Sequence, residues 1–181
     1  METERLILRG AQPGDEKDLY EIRNDEFVLR YNCMKLITME ELAEQIRKDR
    51  ESEGIFSIEL KESKRVIGMI DVDQDSLRYG VKALGLAYYL GEAYSSKGYM
   101  TEALREIMRH VFEDRGAEVL SIRAFKDNIA SIKLAEKLGF VNEGCIRHGV
   151  KGYKDIIYDD MIYSILREEY EAANKQSSYL N

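Results

Sequence analysis

The run Ser95-Ser96-Lys97-Gly98-Tyr99-Met100-Thr101 follows a strand-like stretch and opens a segment with helical periodicity. The first turn of a helix leaves backbone N–H groups without intrahelical partners, and the helix dipole adds positive potential there. Residues 95–101 are therefore suited to hold an anion such as a pyrophosphate. Gly98 would let the backbone approach that anion with no Cβ in the way. Neither G-x-G-x-x-G nor G-x-x-x-x-G-K-[ST] occurs, which excludes the dinucleotide and Walker-type readings of the loop. A glycine that merely turns the chain into its helix would leave the same pattern.

Other residues able to do chemistry are scattered. Asn128 precedes a helical pattern and reads as its N-cap, with Ser131 in the first turn. The Ser131 hydroxyl is open to a catalytic role or to simple backbone satisfaction. Asp71 and Asp73 alternate onto one face of a strand, and Asp159 lies in another strand. Each could serve as a base, or be an ordinary solvated carboxylate. His110 falls on an exposed helix position, and His148 precedes a glycine-bounded hairpin at 149–152. Cys33 and Cys145 lack C-x-x-C spacing and a nearby histidine pair, so neither a metal site nor a disulfide is indicated and reduced thiols are expected.

The elements that must position these groups follow from periodicity. Strands are expected at residues 5–9, 55–60, 66–72, 83–90, 119–124, 140–150 and 156–166. Helices are expected at 14–24, from Thr38 to about 52 behind a Thr38…Glu41 capping box, from Tyr99 to Gly116, and after Asn128 to Gly139. Met100, Ala103, Leu104, Ile107, Met108, Val111 and Phe112 form one apolar face of the third helix. Residues 25–37 read as irregular or a broken helix. The fold class is α/β, a single domain over 1–170 with a mixed, mostly antiparallel sheet, and a polar, frayed tail at 171–181.

The chain of 181 residues is 44% hydrophobic and 34% charged, which is globular in type. A net charge of −7 argues against nucleic acid as a partner and favours a cationic one. No apolar run approaches the roughly 20 residues of a membrane span. The first residues lack a signal-like pattern, so no membrane partner and a cytoplasmic location are expected.

Taken in order, Tyr94-Ser95-Ser96-Lys97-Gly98-Tyr99-Met100-Thr101-Glu102-Ala103-Leu104, Asn128-Ile129-Ala130-Ser131 and Glu136-Lys137-Leu138-Gly139-Phe140 resemble the GNAT acetyltransferase superfamily. Glu4-Arg5-Leu6-Ile7-Leu8-Arg9, Glu143-Gly144-Cys145-Ile146-Arg147, Tyr158-Asp159-Asp160 and Tyr163 resemble its ribosomal-protein N-terminal (alanine/serine) acetyltransferase-like branch. The resemblance spans roughly residues 4–166. It implies a sheet splayed at its centre and flanked by about four helices. It also implies acetyl-CoA as cosubstrate, no metal, and direct attack of an amine on the thioester with no acyl-enzyme.

The family's R/Q-x-x-G-x-G/A loop falls on Ser95, Gly98 and Met100, so only the central glycine is retained. The resemblance places the oxyanion's backbone N–H near Tyr89 or Leu90, at the splay that admits the pantetheine arm. The tyrosine that many relatives carry in the L-Y-E-K-x-G-F context is Ala135 here, and Ser131 matches the residue that serves the leaving sulfur in the resembled branch. Asn128 would orient the cofactor arm, cap the helix, or both. The strand glutamate of E-I-G-Y-W-L is missing from Gly85-Leu86-Ala87-Tyr88-Tyr89-Leu90, which leaves Asp71, Asp73, Asp159 or water as base. The expected activity is N-acetylation of a protein N-terminus or small amine, against the rival of a non-catalytic acetyl-CoA sensor. Strand edges at the C-terminal hairpin suit a homodimer, and the acceptor should be read by residues 25–37 and 148–160.

Overall fold

Seven strands form one sheet in the order β1-β2-β3-β4-β5-β7-β6 in a computed structural model that describes residues 1–178. They are β1 (Leu6–Arg9), β2 (Ile55–Leu60), β3 (Val66–Gln74), β4 (Ala83–Leu90), β5 (Val119–Phe125), β6 (Val141–Lys151) and β7 (Ile157–Leu166). The helices are α1 (Glu16–Asn24), α2 (Glu26–Leu29), α3 (Met39–Asp49), α4 (Tyr99–Arg109), α5 (Ile129–Lys137) and α6 (Arg167–Ser178). Neighbouring strands are antiparallel except β4 and β5, which are parallel and joined by the α4 crossover.

That parallel pair positions the site. Pairing runs only from Ala83 opposite Val119 to Leu86 opposite Ile122. Beyond Leu86, β4 keeps its partner β3 as far as Leu90 but has none on the β5 side. The sheet is thus splayed at its centre, as the family resemblance implies.

Each face of the sheet has its own core. On one side Leu104, Ile107, Val111 and Phe112 of the α4 segment are fully buried with Leu120 and Ile122 of β5, and α5 adds Ala135. Burial of one such side chain contributes about 1.5–3 kcal/mol. On the other side Leu19 of α1 and Leu42 and Ile46 of α3 pack on Val66 and Met69 of β3. The Thr38–Glu41 capping box forms in both directions.

Three elements depart from the sequence expectation. The helix read as running to Gly116 is α-helical only to Arg109, then widens into a π-helical turn, His110–Asp114, closed by the Arg115 N–H to the His110 carbonyl. Within 25–37 lies the short α2, capped by the Asp25 carboxylate on the Phe27 amide. The tail expected to fray from residue 171 continues as α6 through Ser178, and its last positions, 179–181, lie outside the described residues. Tertiary contacts at its start hold it. Arg167 Nη2 donates to the Phe112 and Ala117 carbonyls, and Tyr170 stacks on Phe112 at 4.8 Å. Among the described residues α2 and α6 bring the number of helices to six rather than about four.

Candidate active site

A cleft of about 1130 Å³ opens where β4 leaves β5. Its first wall is the turn into α4. A single 3₁₀ turn at Glu92–Tyr94 is followed by Ser96 at φ +59° and Gly98 at φ +83°, two left-handed residues that reverse the chain. No side chain caps α4, and its first intrahelical bond is from the Glu102 amide to the Gly98 carbonyl. The amides of Tyr99, Met100 and Thr101 therefore precede the helical ladder and are available to a ligand.

Arg5 of the N-terminal segment fixes this turn. Its Nη1 donates to the Lys97 carbonyl at 3.0 Å, its Nε to Glu102 at 2.6 Å, and its guanidinium lies 4.4 Å from the centre of the Tyr99 ring. The Glu102 carboxylate also accepts the Arg5 amide and the Thr3 hydroxyl, and these bonds outweigh burial to hold its pKa below the usual carboxylate range.

The second wall is the start of α5. Asn128 caps it by accepting the Ser131 amide at 3.2 Å. The Ser131 Oγ shares a 2.7 Å hydrogen bond with the Tyr88 hydroxyl, which reaches it from β4. Burial pushes the Tyr88 phenol up to about 12, although the bond to Ser131 pulls it down. Lys133 and Lys137 line the same wall, and among the described residues neither forms an ion pair.

The floor is β4 itself. The Gly91 amide bonds the Ile67 carbonyl on the β3 side at 2.9 Å. Amides alternate between the two edges of a strand, so the Leu90 N–H faces the gap left by β5. Side chains alternate between faces as well. Tyr88 packs with the core under α4 and α5, whereas Tyr89 packs with the cluster of α1 and α3.

The third wall is residues 25–37 docked against the β6–β7 turn. Lys154 Nζ donates to Glu26 at 2.9 Å, the Tyr153 amide to the Asn32 carbonyl at 3.1 Å, and the Tyr158 hydroxyl to the Arg30 carbonyl at 3.3 Å. Tyr158 stacks on Phe125 at 4.7 Å and meets Tyr31 edge-on.

The structure brings Tyr89, Leu90, Ser95, Ser96, Gly98, Tyr99, Met100, Thr101, Asn128 and Ser131 to this one cleft. Met100 turns its side chain into the core and is 8% exposed. Lys97 is the exception, since its carbonyl is taken by Arg5 and its side chain points outward. The three carboxylates considered as bases also lie elsewhere. Asp71 and Asp73 sit on the β3 strand outside the cleft, where partial burial and then Asp73 raise the Asp71 pKa. Asp159 is tied to the His148 amide and Lys126, which lower its pKa. Tyr88, Arg5, Lys133 and Lys137 were missed by sequence reasoning. For Tyr88 a signal existed, because two adjacent tyrosines in a strand must point to opposite faces.

Residues 5–141 match the family model described as an acetyltransferase (GNAT) domain. The uncharacterized SPbeta prophage-derived N-acetyltransferase YokL of Bacillus subtilis is 26% identical over 169 residues, 93% of each chain. A GNAT-family acetyltransferase from Bacillus anthracis superposes with a TM-score of 0.84 at 21% identity, covering 93% of this chain and 98% of its own. Spermidine N-acetyltransferase from Vibrio cholerae, solved in complex with CoA and spermine, gives 0.78 at 19% identity, covering 93% and 99%.

Proposed function

The chain belongs to the GNAT acetyltransferase family, and from that premise we propose that it moves acetyl from acetyl-CoA directly to a primary amine, with no acyl-enzyme. The acceptor is a protein N-terminus or a small amine. The observation that carries the proposal is the Tyr88–Ser131 hydrogen bond on the cleft wall, beside the gap that Leu90's amide faces.

The residues present fit acetyl-CoA. A cleft of about 1130 Å³ exceeds the roughly 300–1,000 Å³ of ordinary small-ligand pockets and suits an elongated molecule. The α4 amides, with Gly98 beside them, supply pyrophosphate donors, and Lys133 and Lys137 add positive charge along the second wall. The loss of the family's Arg or Gln at Ser95 and small residue at Met100 leaves this backbone cradle intact, because Met100 is packed inward.

Acetyl-CoA supplies the thioester whose acetyl group is transferred. Leu90's N–H donates to the carbonyl oxygen as negative charge grows on it. In this reading Tyr88 donates to Ser131 Oγ and the Ser131 O–H points at the leaving sulfur. Ser131 passes its proton to the thiolate as it takes the Tyr88 proton, and the proton released by the amine returns to Tyr88 through water. Asp71, Asp73 and Asp159 do not line the cleft, which leaves water, of the four bases considered, to take the amine's proton. Mass spectrometry of N-terminal peptides and small amines incubated with protein and acetyl-CoA tests this reading. Acetylated amine together with unmodified protein is the expected result. Cofactor binding without product across a broad panel would instead establish a sensor.

A further inference from the structure

Arg23, at the C-terminal end of α1, is 8% exposed and carries a charge that no carboxylate among the described residues neutralises. Its Nη1 donates to the Lys35 carbonyl at 2.8 Å, and among the described residues it forms no ion pair. Two other partly enclosed arginines are paired, Arg9 with Asp15 and Glu59, and Arg78 with Asp75 and Glu143. An enclosed charge without a counter-charge is strongly unfavourable. Burial accordingly draws the Arg23 pKa down, opposed only by the Tyr89 phenol.

The rest of the guanidinium is not sealed in. Among the described residues Arg115 Nη1 is the one enclosed side-chain polar atom with no partner, so the remaining N–H groups of Arg23 are open. Arg23 lines a hollow of about 700 Å³ between α1, residues 35–37 and α3. Glu40, Glu41 and Glu44 line the hollow too, but none is within ion-pair distance of Arg23; Glu41 accepts the Thr38 amide and Glu44 is engaged by Arg47 and Lys48. Tyr89 stands between this hollow and the cleft, lining the cleft but not the hollow. Its phenol senses the charges of Arg23 and Asp49, and its neighbour Leu90 provides the amide at the gap.

We propose that Arg23 anchors a carboxylate subsite on the α1–α3 face of the sheet, so that the acceptor is an amine that also bears a carboxylate, such as an amino acid or short peptide. The planar guanidinium fork matches a carboxylate in geometry and charge. The substrate assignment rests on the acetyl-transfer reading, whereas the anion subsite does not.

Two measurements separate them. In the first, the Arg23 Nε–Hε NMR signal, assigned by its loss in Arg23→Lys, is followed during titration with succinate, succinamide and inorganic phosphate at constant ionic strength. A saturable shift with succinate and none with succinamide is expected. No shift, or a shift with phosphate alone, overturns the proposal. In the second, kcat/KM is compared for a dipeptide and its C-terminal amide. The free carboxylate should be preferred roughly 10- to 100-fold, with the ratio falling toward unity in Arg23→Gln and recovering in part in Arg23→Lys. A role confined to bracing the Lys35 carbonyl would lower both substrates together and overturns the proposal, as would acetylation with no carboxylate preference, which leaves acetyl transfer standing. A succinate-dependent shift with no amine acetylated would retain the subsite and sink the acetyl-transfer reading.

Discussion

Removing the Tyr88 hydroxyl isolates one hydrogen bond at the centre of the proposed mechanism. In Tyr88→Phe the 2.7 Å bond to Ser131 is lost while the ring keeps its place against the core under α5. A net hydrogen bond of this kind is worth about 0.5–1.5 kcal/mol, so kcat should fall roughly 2- to 13-fold. Ser131→Ala removes the proton donor itself and should lower kcat by about 10²-fold or more. Because Tyr88 acts through Ser131, the double variant should be no slower than Ser131→Ala alone, with a coupling of about 1 kcal/mol. The KM for acetyl-CoA should move little, since neither hydroxyl belongs to the pyrophosphate cradle. The assay is initial-rate release of CoA thiol, measured from pH 7 to 10. Burial keeps the Tyr88 phenol protonated up to about 12, so no alkaline fall from this group is expected in that range. Independent, multiplying effects of the two substitutions would refute the relay, and a wild-type kcat in Ser131→Ala would refute the donor.

Gly98→Ala places a Cβ at φ +83° and 3.3 Å from Arg5 Nη2. A strain of about 1–2 kcal/mol should weaken acetyl-CoA binding roughly 5- to 30-fold by calorimetry, and unchanged affinity would count against the cradle. Lys133→Gln and Lys137→Gln should each weaken the same binding by up to about fivefold at low ionic strength and less at high, and a salt-independent loss would argue for a packing effect instead. Asp15 is enclosed by Arg9, the Gln12 amide and Ser57, and although burial raises its pKa these bonds prevail and hold it below the usual range. A depressed folded pKa contributes stability that is present above the unfolded value near ~3.9 and is lost as pH falls through the folded value. Asp15→Asn should therefore cost about 3 kcal/mol in urea melts at pH 7, with the gap to the native chain closing in acid; a gap of the same size at pH 2 would refute the linkage.

The turn into α4 and the start of α5 were legible because their determinants are local. Gly98, the apolar face from Met100 to Phe112, and Asn128 with Ser131 each announce themselves within a few residues of sequence, through turn chemistry, period 3.6 and capping. Arg5 and Lys133 were invisible for the opposite reason. What Arg5 does depends on contacts 92 and 97 residues away, to Lys97 and Glu102, which no periodicity encodes. The same holds for residues 25–37, whose irregular run takes shape from bonds to Lys154 and Tyr158, 128 residues further along the chain. The π-helical turn and α6 were misread because tertiary contacts override local signals there. A polar tail frays when alone, yet Tyr170 on Phe112 and Arg167 on two carbonyls give it somewhere to dock.

The tyrosine pair shows how one strand serves two different chemistries. Successive side chains on β4 point to opposite faces, so Tyr88 is committed to the α4–α5 side by the same pleat that commits Tyr89 to the α1–α3 side. The first hydrogen-bonds Ser131 and so completes the proposed hydroxyl relay, and the second stands between the cleft and the uncompensated charge of Arg23. Successive amides alternate too, but within the sheet plane, and β5 ends its pairing at Leu86 so that the next free edge amides open onto the gap. A one-residue slip of β4 against β3 would exchange the faces of the two tyrosines and turn Leu90's N–H into the ladder. The β3–β4 register, with Gly68 opposite Leu90 and a Cβ at Gly68 lying only 2.2 Å from the Tyr89 carbonyl, forbids it. Close packing at a glycine outside the cleft thereby fixes which β4 amide faces the gap and which tyrosine meets Ser131, the two features on which the proposed mechanism depends.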